Sequence, residues 1–342
     1  MGEPLTNARP ALTLTILVLA LGVAAVLSMG VGAVAIPPGE VVKALLPGME
    51  PARASHHTIV WDLRLPRVLL AIIVGGGLGA AGAAFQGLFQ NALAEPYVVG
   101  ASTGAALGAV LVITGGLTLS SAGFGSVGLG AFIGALLAVL VVYAVAEASG
   151  SGSVISLLLA GVAFSTMLSA VVSLIMILNT QDLNRTFGWL LGGLGGRTWE
   201  QIGITLLLAA PGVAVTWLMA RPLDALACGD ETAQSLGLNL RQARLLIVAA
   251  ASLTTAAAVA VSGVIGFVGL MAPHITRVLV GANHARVIPV SLLSGALLLL
   301  VADTVARTVV APVELPVGIL TAMIGGPFFL YLLARRRTWS AS

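Results

Sequence analysis

Long apolar runs, broken by short polar or glycine-rich stretches, recur from one end of the chain to the other. A helix needs about 20 consecutive apolar residues to cross the hydrocarbon core of a bilayer. On that measure the pattern predicts spans at approximately 11–35, 66–86, 95–114, 124–147, 154–178, 200–220, 242–266, 271–281, 287–307 and 315–334, with 271–281 short for a full crossing. Ten spans place both termini on one side. Arg335, Arg336 and Arg337 share that side with Arg221, Arg241 and Arg244, and the positive-inside rule makes it cytoplasmic. The expected fold class is an all-α polytopic membrane protein, a single transmembrane domain over residues 1–342.

One polar island, residues 221–241, interrupts the apolar runs. It predicts two short helices back to back. Pro222 suits a first helical position, where its missing N–H costs nothing, and Gly229 can close that helix in the left-handed conformation. Asp230 is expected to cap the second helix, Glu231 to favour its positive end and Gly237 to close it. A rigid, doubly capped knob at about 222–240 is more than a linker needs, and it reads as a grip for another protein.

Composition narrows the class. Of 342 residues, 58% are hydrophobic and 8% charged; a soluble domain carries roughly a quarter charged residues. The excess of 16 Lys and Arg over 13 acids is a bias a membrane requires and calls for no nucleic acid. The single cysteine, Cys228, excludes an internal disulfide and a Cys-based metal cluster. Ala33-Val34-Ala35 resembles a signal cleavage site, but the run Ala11–Ala35 exceeds a signal core of about 7–15 residues, so it is read as the first span. On the opposite side the topology leaves Arg53, Arg64, Arg67, Arg185, Arg197 and Arg307, which points to an acidic partner there.

Small residues four apart, Gly75/Gly79, Gly104/Gly108 and Gly130/Gly134, predict close helix packing in lipid. Gly82 and Gly100 recur as Gly263 and Gly281, a faint echo of an inverted repeat. Several motifs mislead. Gly77–Gly82 spells a dinucleotide fingerprint, but no strand precedes it and no acid follows about 20 residues on. Gly100–Gly104 spells a nucleophile elbow around Ser102, which with His274 or His284 would suggest an intramembrane protease; no sequence feature orients either histidine. His56 and His57 read as a solvated loop, without further ligands at metal spacing. Asp303 and Arg307 predict a local ion pair. A phosphate-cradling loop is absent, and Lys43 is the only lysine. Any nucleotide that drives this protein therefore belongs to a different polypeptide.

Seven segments, in order, resemble the permease subunit of ABC importers for iron-siderophores, haem and cobalamin. They are Leu63-Arg64-Leu65-Pro66-Arg67, the run from Asn91 to Pro96, Trp189–Gly193, Glu231–Gly237, Gly266–His274, Glu314–Gly318 and Gly325–Phe328. The resemblance implies a type II ABC importer permease of about ten helices. It also implies a homodimer in the cell inner membrane, two ATP-binding cassette ATPase subunits that carry ATP and Mg, and a periplasmic or lipid-anchored substrate-binding protein. No cofactor or metal is expected on this chain. By resemblance, ATPase coupling falls to Leu223, Asp224, Asp230, Glu231, Ala233, Leu236 and Gly237, and binding-protein docking to Arg64, Arg67 and Arg307. The cytoplasmic gate maps onto Asn91 and Leu93, with a second constriction at Ser153 and Ser156. Ala92 departs from the proline usual in the family, so that turn should be less rigid. The competing reading is an ion-coupled secondary transporter, which requires carboxylates at mid-membrane. Glu95, Glu147, Asp182, Asp303 and Glu314 are all expected near span ends, against that reading.

Overall fold

The computed structural model describes residues 10–337 apart from 47, 50, 52, 119–122 and 150–152. Among the described residues the fold is wholly helical. Helix α1 (Pro10–Gly30) is followed by two short helices, α2 (Pro38–Leu45) and α3 (Ala54–Thr58), and a π-helical turn, Ile59–Arg64, that runs into α4 (Leu65–Leu88). Then come α5 (Ala101–Thr114), α6 (Gly125–Ala148), α7 (Val154–Leu178), the short α8 (Leu183–Leu190) and α9 (Trp199–Leu218). The knob consists of α10 (Ala220–Ala227) and α11 (Asp230–Ser235), and the chain ends with α12 (Leu240–Ser262), α13 (Val268–Val280), α14 (His284–Ala306) and α15 (Val317–Arg337). Among the described residues, seven helices are long and apolar enough to cross a bilayer, and three shorter apolar ones, α5, α13 and α15, complete the set the hydropathy pattern predicts.

A helix apolar all round is either core or lipid-facing span, and here α4 and α12 are the buried centre of the bundle. Helices α1 and α7 lie at the periphery. Glycine sets the closest approaches. A Cβ added at Gly75 or Gly79 would lie 2.4 Å from the Gly295 carbonyl oxygen or 2.2 Å from that of Ser291, both on α14. Gly104 and Gly108 back in the same way onto Gly134 and Gly130 of α6, at 2.3 and 2.0 Å. The spaced glycines therefore join α4 to α14 and α5 to α6, as the sequence leads one to expect.

Two spans are broken. The predicted span 95–114 is helical only from Ala101, with Gly100 at φ 87° before it. Helices α5 and α13 have 14 and 13 residues, about 20 Å each against a core of about 30 Å. Non-helical backbone at that depth must find its hydrogen bonds inside the protein, and the two breaks supply them to each other. The Phe267 N–H donates to Glu95 Oε1 at 2.8 Å, and the Tyr97 hydroxyl donates to the Ile265 carbonyl at 2.9 Å. Glu95 is thus held at the start of the half-length helix α13. Hydropathy sees apolar letters and does not see that Pro96 and Gly100 end the helix early. The long–short–long series α4–α6 recurs as α12–α14. The glycine echo does not mark equivalent places, since Gly82 lies inside α4 whereas Gly263 follows α12.

Candidate functional site

The knob departs from its predicted form in two details. Helix α10 starts at Ala220, so Pro222 is its third residue; the first four N–H groups of a helix lack internal partners, and proline is tolerated there. Asp230 does not cap α11. Gly229 occupies the cap position, and Asp230 Oδ2 accepts from Arg244 Nη2 of α12 at 2.6 Å. The close at Gly237 forms as expected. With φ 84°, it donates to the Gln234 carbonyl while Leu238 donates to that of Ala233, the paired bonds of a Schellman ending.

Burial divides the seven coupling candidates. Leu223 and Ala233 are wholly buried and anchor the knob to the bundle. Asp224 Oδ1 accepts the backbone N–H of His284 at 3.0 Å and lies 2.6 Å from its ring Nδ1. Asn283 Nδ2 donates to Asp224 Oδ2 at 3.2 Å, which ties α10 to the start of α14. Glu231, Leu236 and Gly237 face outward, with Leu236 71% exposed. An apolar side chain so exposed on a rigid, polar projection suits a protein surface. Replacing Gly237 by Val forces a β-branched residue into the left-handed region, at about 1–2 kcal/mol. Hydrogen exchange over α11 should then quicken roughly tenfold while the buried helices keep their protection; unchanged exchange would show that the turn does not depend on this glycine.

The four gate candidates do not meet in one place. Asn91 heads a turn in which its Oδ1 accepts the Leu93 N–H at 3.0 Å. It lines a recess with Gln86, Asp224, Arg277 and His284. Ser153 caps α7 by accepting the Ser156 N–H at 3.1 Å and lines a second recess with Leu88, Tyr143, Glu147 and Arg244. The last turn of α4 separates the two recesses.

Sequence reasoning missed a large open pocket on the side of the bundle. A cavity of about 780 Å³ opens between α5, α7 and α8. Ser102, Thr103, Ser169, Ser173 and Thr180 line it together with Met176, Phe187 and other apolar residues, and none of its described lining side chains is charged. Ser102, the false nucleophile, faces this space, while His284 is bound to Asp224 and His274 meets Phe328 edge-on at 5.8 Å. Apart from Ser102, with its misleading elbow pattern, the hydroxyls of α5 and α7 carry no motif. Only the helix pairing turns them into a lining.

On the face opposite the knob, the three arginines expected to show free charge are tied down, with Arg64 and Arg307 buried and Arg67 largely so. Arg64 donates to the carbonyls of Met29 and Val34, both at 2.5 Å. Arg307 donates to the carbonyl and hydroxyl of Ser28, both at 2.5 Å. Arg67 grips Asp303 through Nε and Nη2, at 2.9 and 3.0 Å, and reaches Glu314 at 2.8 Å. The expected Asp303–Arg307 pair is the weaker one, at 3.9 Å. The end of α1 and the turn after it hold Arg64 and Arg307 largely with main-chain oxygens, which a reading of charged letters cannot anticipate. The exposed arginines of this face are Arg53 and Arg185, and burial pushes Arg197 below its ordinary value. His56 is buried 3.9 Å from Glu40, and His57 stacks on Trp61, so the two do not converge.

The FecCD transport family matches residues 18–335 of this chain. A cobalamin import permease of Halobacterium salinarum is 44% identical over 82% of the chain and 75% of the relative. A hemin transport permease of Yersinia pestis is 43% identical over 81% and 84%. A ferric citrate import permease of Bacillus subtilis is 42% identical over 95% of each. Among solved structures, an inward-facing metal-chelate type ABC transporter superposes with a TM-score of 0.81 at 31% identity, covering 94% of this chain and 98% of that one. The broken half-spans, the knob and the arginines opposite it all fall within the matched region, and the chain belongs to the FecCD transport family.

Proposed function

We propose that this permease imports a metal chelate across the cytoplasmic membrane as one half of a homodimer, with the knob on the cytoplasmic side. Two separate ATP-binding cassette subunits grip α10 and α11, and a binding protein delivers the chelate to the opposite face. The observation that carries the reading is the knob itself, buried through Leu223 and Ala233 and presenting Glu231 and Leu236 outward. The relatives named for cobalamin, hemin and ferric citrate set the substrate class. Thr103, Ser169 and Ser173 offer a bulky chelate hydroxyl contacts in a cavity whose described lining is uncharged, so it passes without being held. The test is co-purification with the ATPase subunit, followed by ATP-dependent uptake in vesicles. The purified chain alone is expected to hydrolyse no ATP, because it carries no phosphate-cradling loop; partner-free turnover would overturn the reading.

The ion-coupled alternative has Glu95 to work with, half-buried at the helix breaks, but it is engaged by the Phe267 N–H in a helix-start role. Docking at the outer face proceeds by exchange. The Glu314 side chain is 54% exposed, so an acidic residue of the binding protein displaces it from Arg67, while Arg64 and Arg307 hold the surface in shape. Glu314→Gln should free Arg67 and speed docking several-fold at low salt, since rim charges act through association rate. A rate and salt slope equal to wild type would remove Arg67 from the docking contact.

A further inference from the structure

We propose that Gln90 is the positioning residue through which the knob moves the turn at Asn91–Leu93. The proposal rests on the coupling role argued above. Gln90 follows the end of α4 and adopts φ 48°. Side chains rarely take the left-handed region, and glutamine is not among the residues enriched there. Such a conformation persists only where surrounding contacts impose it, and these sites cluster at switches.

The close of α4 accounts for this backbone: the Gln90 N–H donates to the Gly87 carbonyl at 3.2 Å and the Asn91 N–H to that of Gln86 at 3.1 Å, the paired bonds of a Schellman ending, and the side chain so placed reaches the knob. The Gln90 side-chain amide donates to the carbonyl of Leu226 at 2.5 Å. Leu226 lies in the last turn of α10, and its own side chain is buried against the bundle. Among the described residues, this is the hydrogen bond that joins α10 to residues 89–93. From Gln90 the chain passes directly to Asn91, whose side chain sets the turn by holding the Leu93 N–H.

A second bond system gives the movement something to act against. Asp224, two residues before Leu226, is fixed to Asn283 and His284 at the start of α14, and α14 is locked to α4 at Gly75 and Gly79. The middle of α10 is thus pinned to the scaffold at Asp224, and its last turn holds the gate turn by a single neutral hydrogen bond from Gln90. A tilt of α10 imposed from the cytoplasm shifts the Leu226 carbonyl and draws Gln90 and Asn91 with it. Elsewhere on the surface, the aromatic cluster at His57, Trp61 and Trp199 carries no comparable link to the pathway.

The experiment places a cysteine at Leu93 in a Cys228→Ser background and reads its labelling by a membrane-impermeant maleimide. The permease is assembled with its ATPase subunit in vesicles, with and without Mg-ATP. In the parent, ATP should change the labelling rate. With Gln90→Ala and with Gln90→Glu, whose carboxylate has no proton to donate to Leu226, the ATPase subunit should still bind. The ATP response should shrink about fivefold, the factor that corresponds to one neutral hydrogen bond. Gln90→Gly separates tether from backbone, because glycine takes the left-handed region freely. It too should lose the response, and a response restored in Gln90→Gly would overturn the proposal by showing that only the backbone matters. A full response with Ala and Glu would overturn it as well, leaving the coupling role of the knob intact. No ATPase binding, or no ATP response in the parent, would overturn that coupling role and this proposal together.

Discussion

Asp303→Ala should cost about 3–5 kcal/mol of stability, the loss seen when a buried charge pair is broken from one side. Asp303 is fully buried, and it is the carboxylate that Arg67 grips with two nitrogens and that Arg307 approaches along the helix. Removal leaves Arg67 with the half-exposed Glu314 and leaves Arg307 with the neutral oxygens of Ser28 alone. Two guanidinium groups would then share a dry site without their common counter-charge. Asp303→Asn keeps the shape and part of the hydrogen bonding, so it should lie between wild type and Ala. Joint replacement of Arg67 by Met and Asp303 by Leu should recover part of the loss, since an apolar pair of similar volume needs no desolvation of charge. Thermal unfolding in detergent distinguishes these variants. A midpoint drop on the order of 10 °C is expected for Ala, and an unchanged midpoint would mean that water reaches this cluster.

Gly108→Val should be nearly as damaging, and its damage should reach transport. A Cβ at residue 108 would stand 2.0 Å from the Gly130 carbonyl oxygen, which is backbone and cannot turn aside. Helix α5 must therefore move away from α6 by more than an ångström. Forcing extra atoms into a packed site costs about 1–3 kcal/mol, and here the displaced helix carries Ser102, Thr103 and Ala106 into the cavity. Gly203→Ala is the matched control, because nothing lies within 4 Å of the added carbon and the residue sits inside α9. It should be neutral or stabilise by up to about 1 kcal/mol, the helix propensity of Ala over Gly. Uptake and unfolding midpoint measured on both variants test the contrast. If Gly108→Val behaves like Gly203→Ala, α5 and α6 do not pack as described.

These two sites show why the sequence was readable in some places and not in others. The spaced glycines predicted close packing because nothing but a small residue permits it, and the structure pairs them as Gly75 with Gly295 and Gly108 with Gly130. The knob was readable from Gly237, since a left-handed closing residue has few substitutes. Asp230 misled because an acid at a helix start can cap or can reach a distant arginine; Arg244 wins the contest from fourteen residues away. The arginines on the face opposite the knob misled for a related reason. Their partners at Ser28, Met29 and Val34 include main-chain oxygens, which every residue carries and no letter reveals. The cavity lining stayed hidden because Ser102 and Ser173 become neighbours only through the packing of α5 and α7.

The mutual hydrogen bonding of the two helix breaks also sets an order of assembly. Tyr97 finds its carbonyl 168 residues later in the chain, and Glu95 its amide 172 residues later. While the ribosome is still extending the chain between them, the segment before α5 has left the exit tunnel with a carboxylate and a phenol that have no permanent partner, in surroundings where lipid offers none. The early spans α1 and α4 are apolar enough to enter the membrane at once, but the turn before α5 cannot complete its hydrogen bonds until Ile265 and Phe267 arrive. During that interval Glu95 and Tyr97 need water or the insertion machinery as their partner. Completion of the first half of the protein is thus timed by the synthesis of the second half.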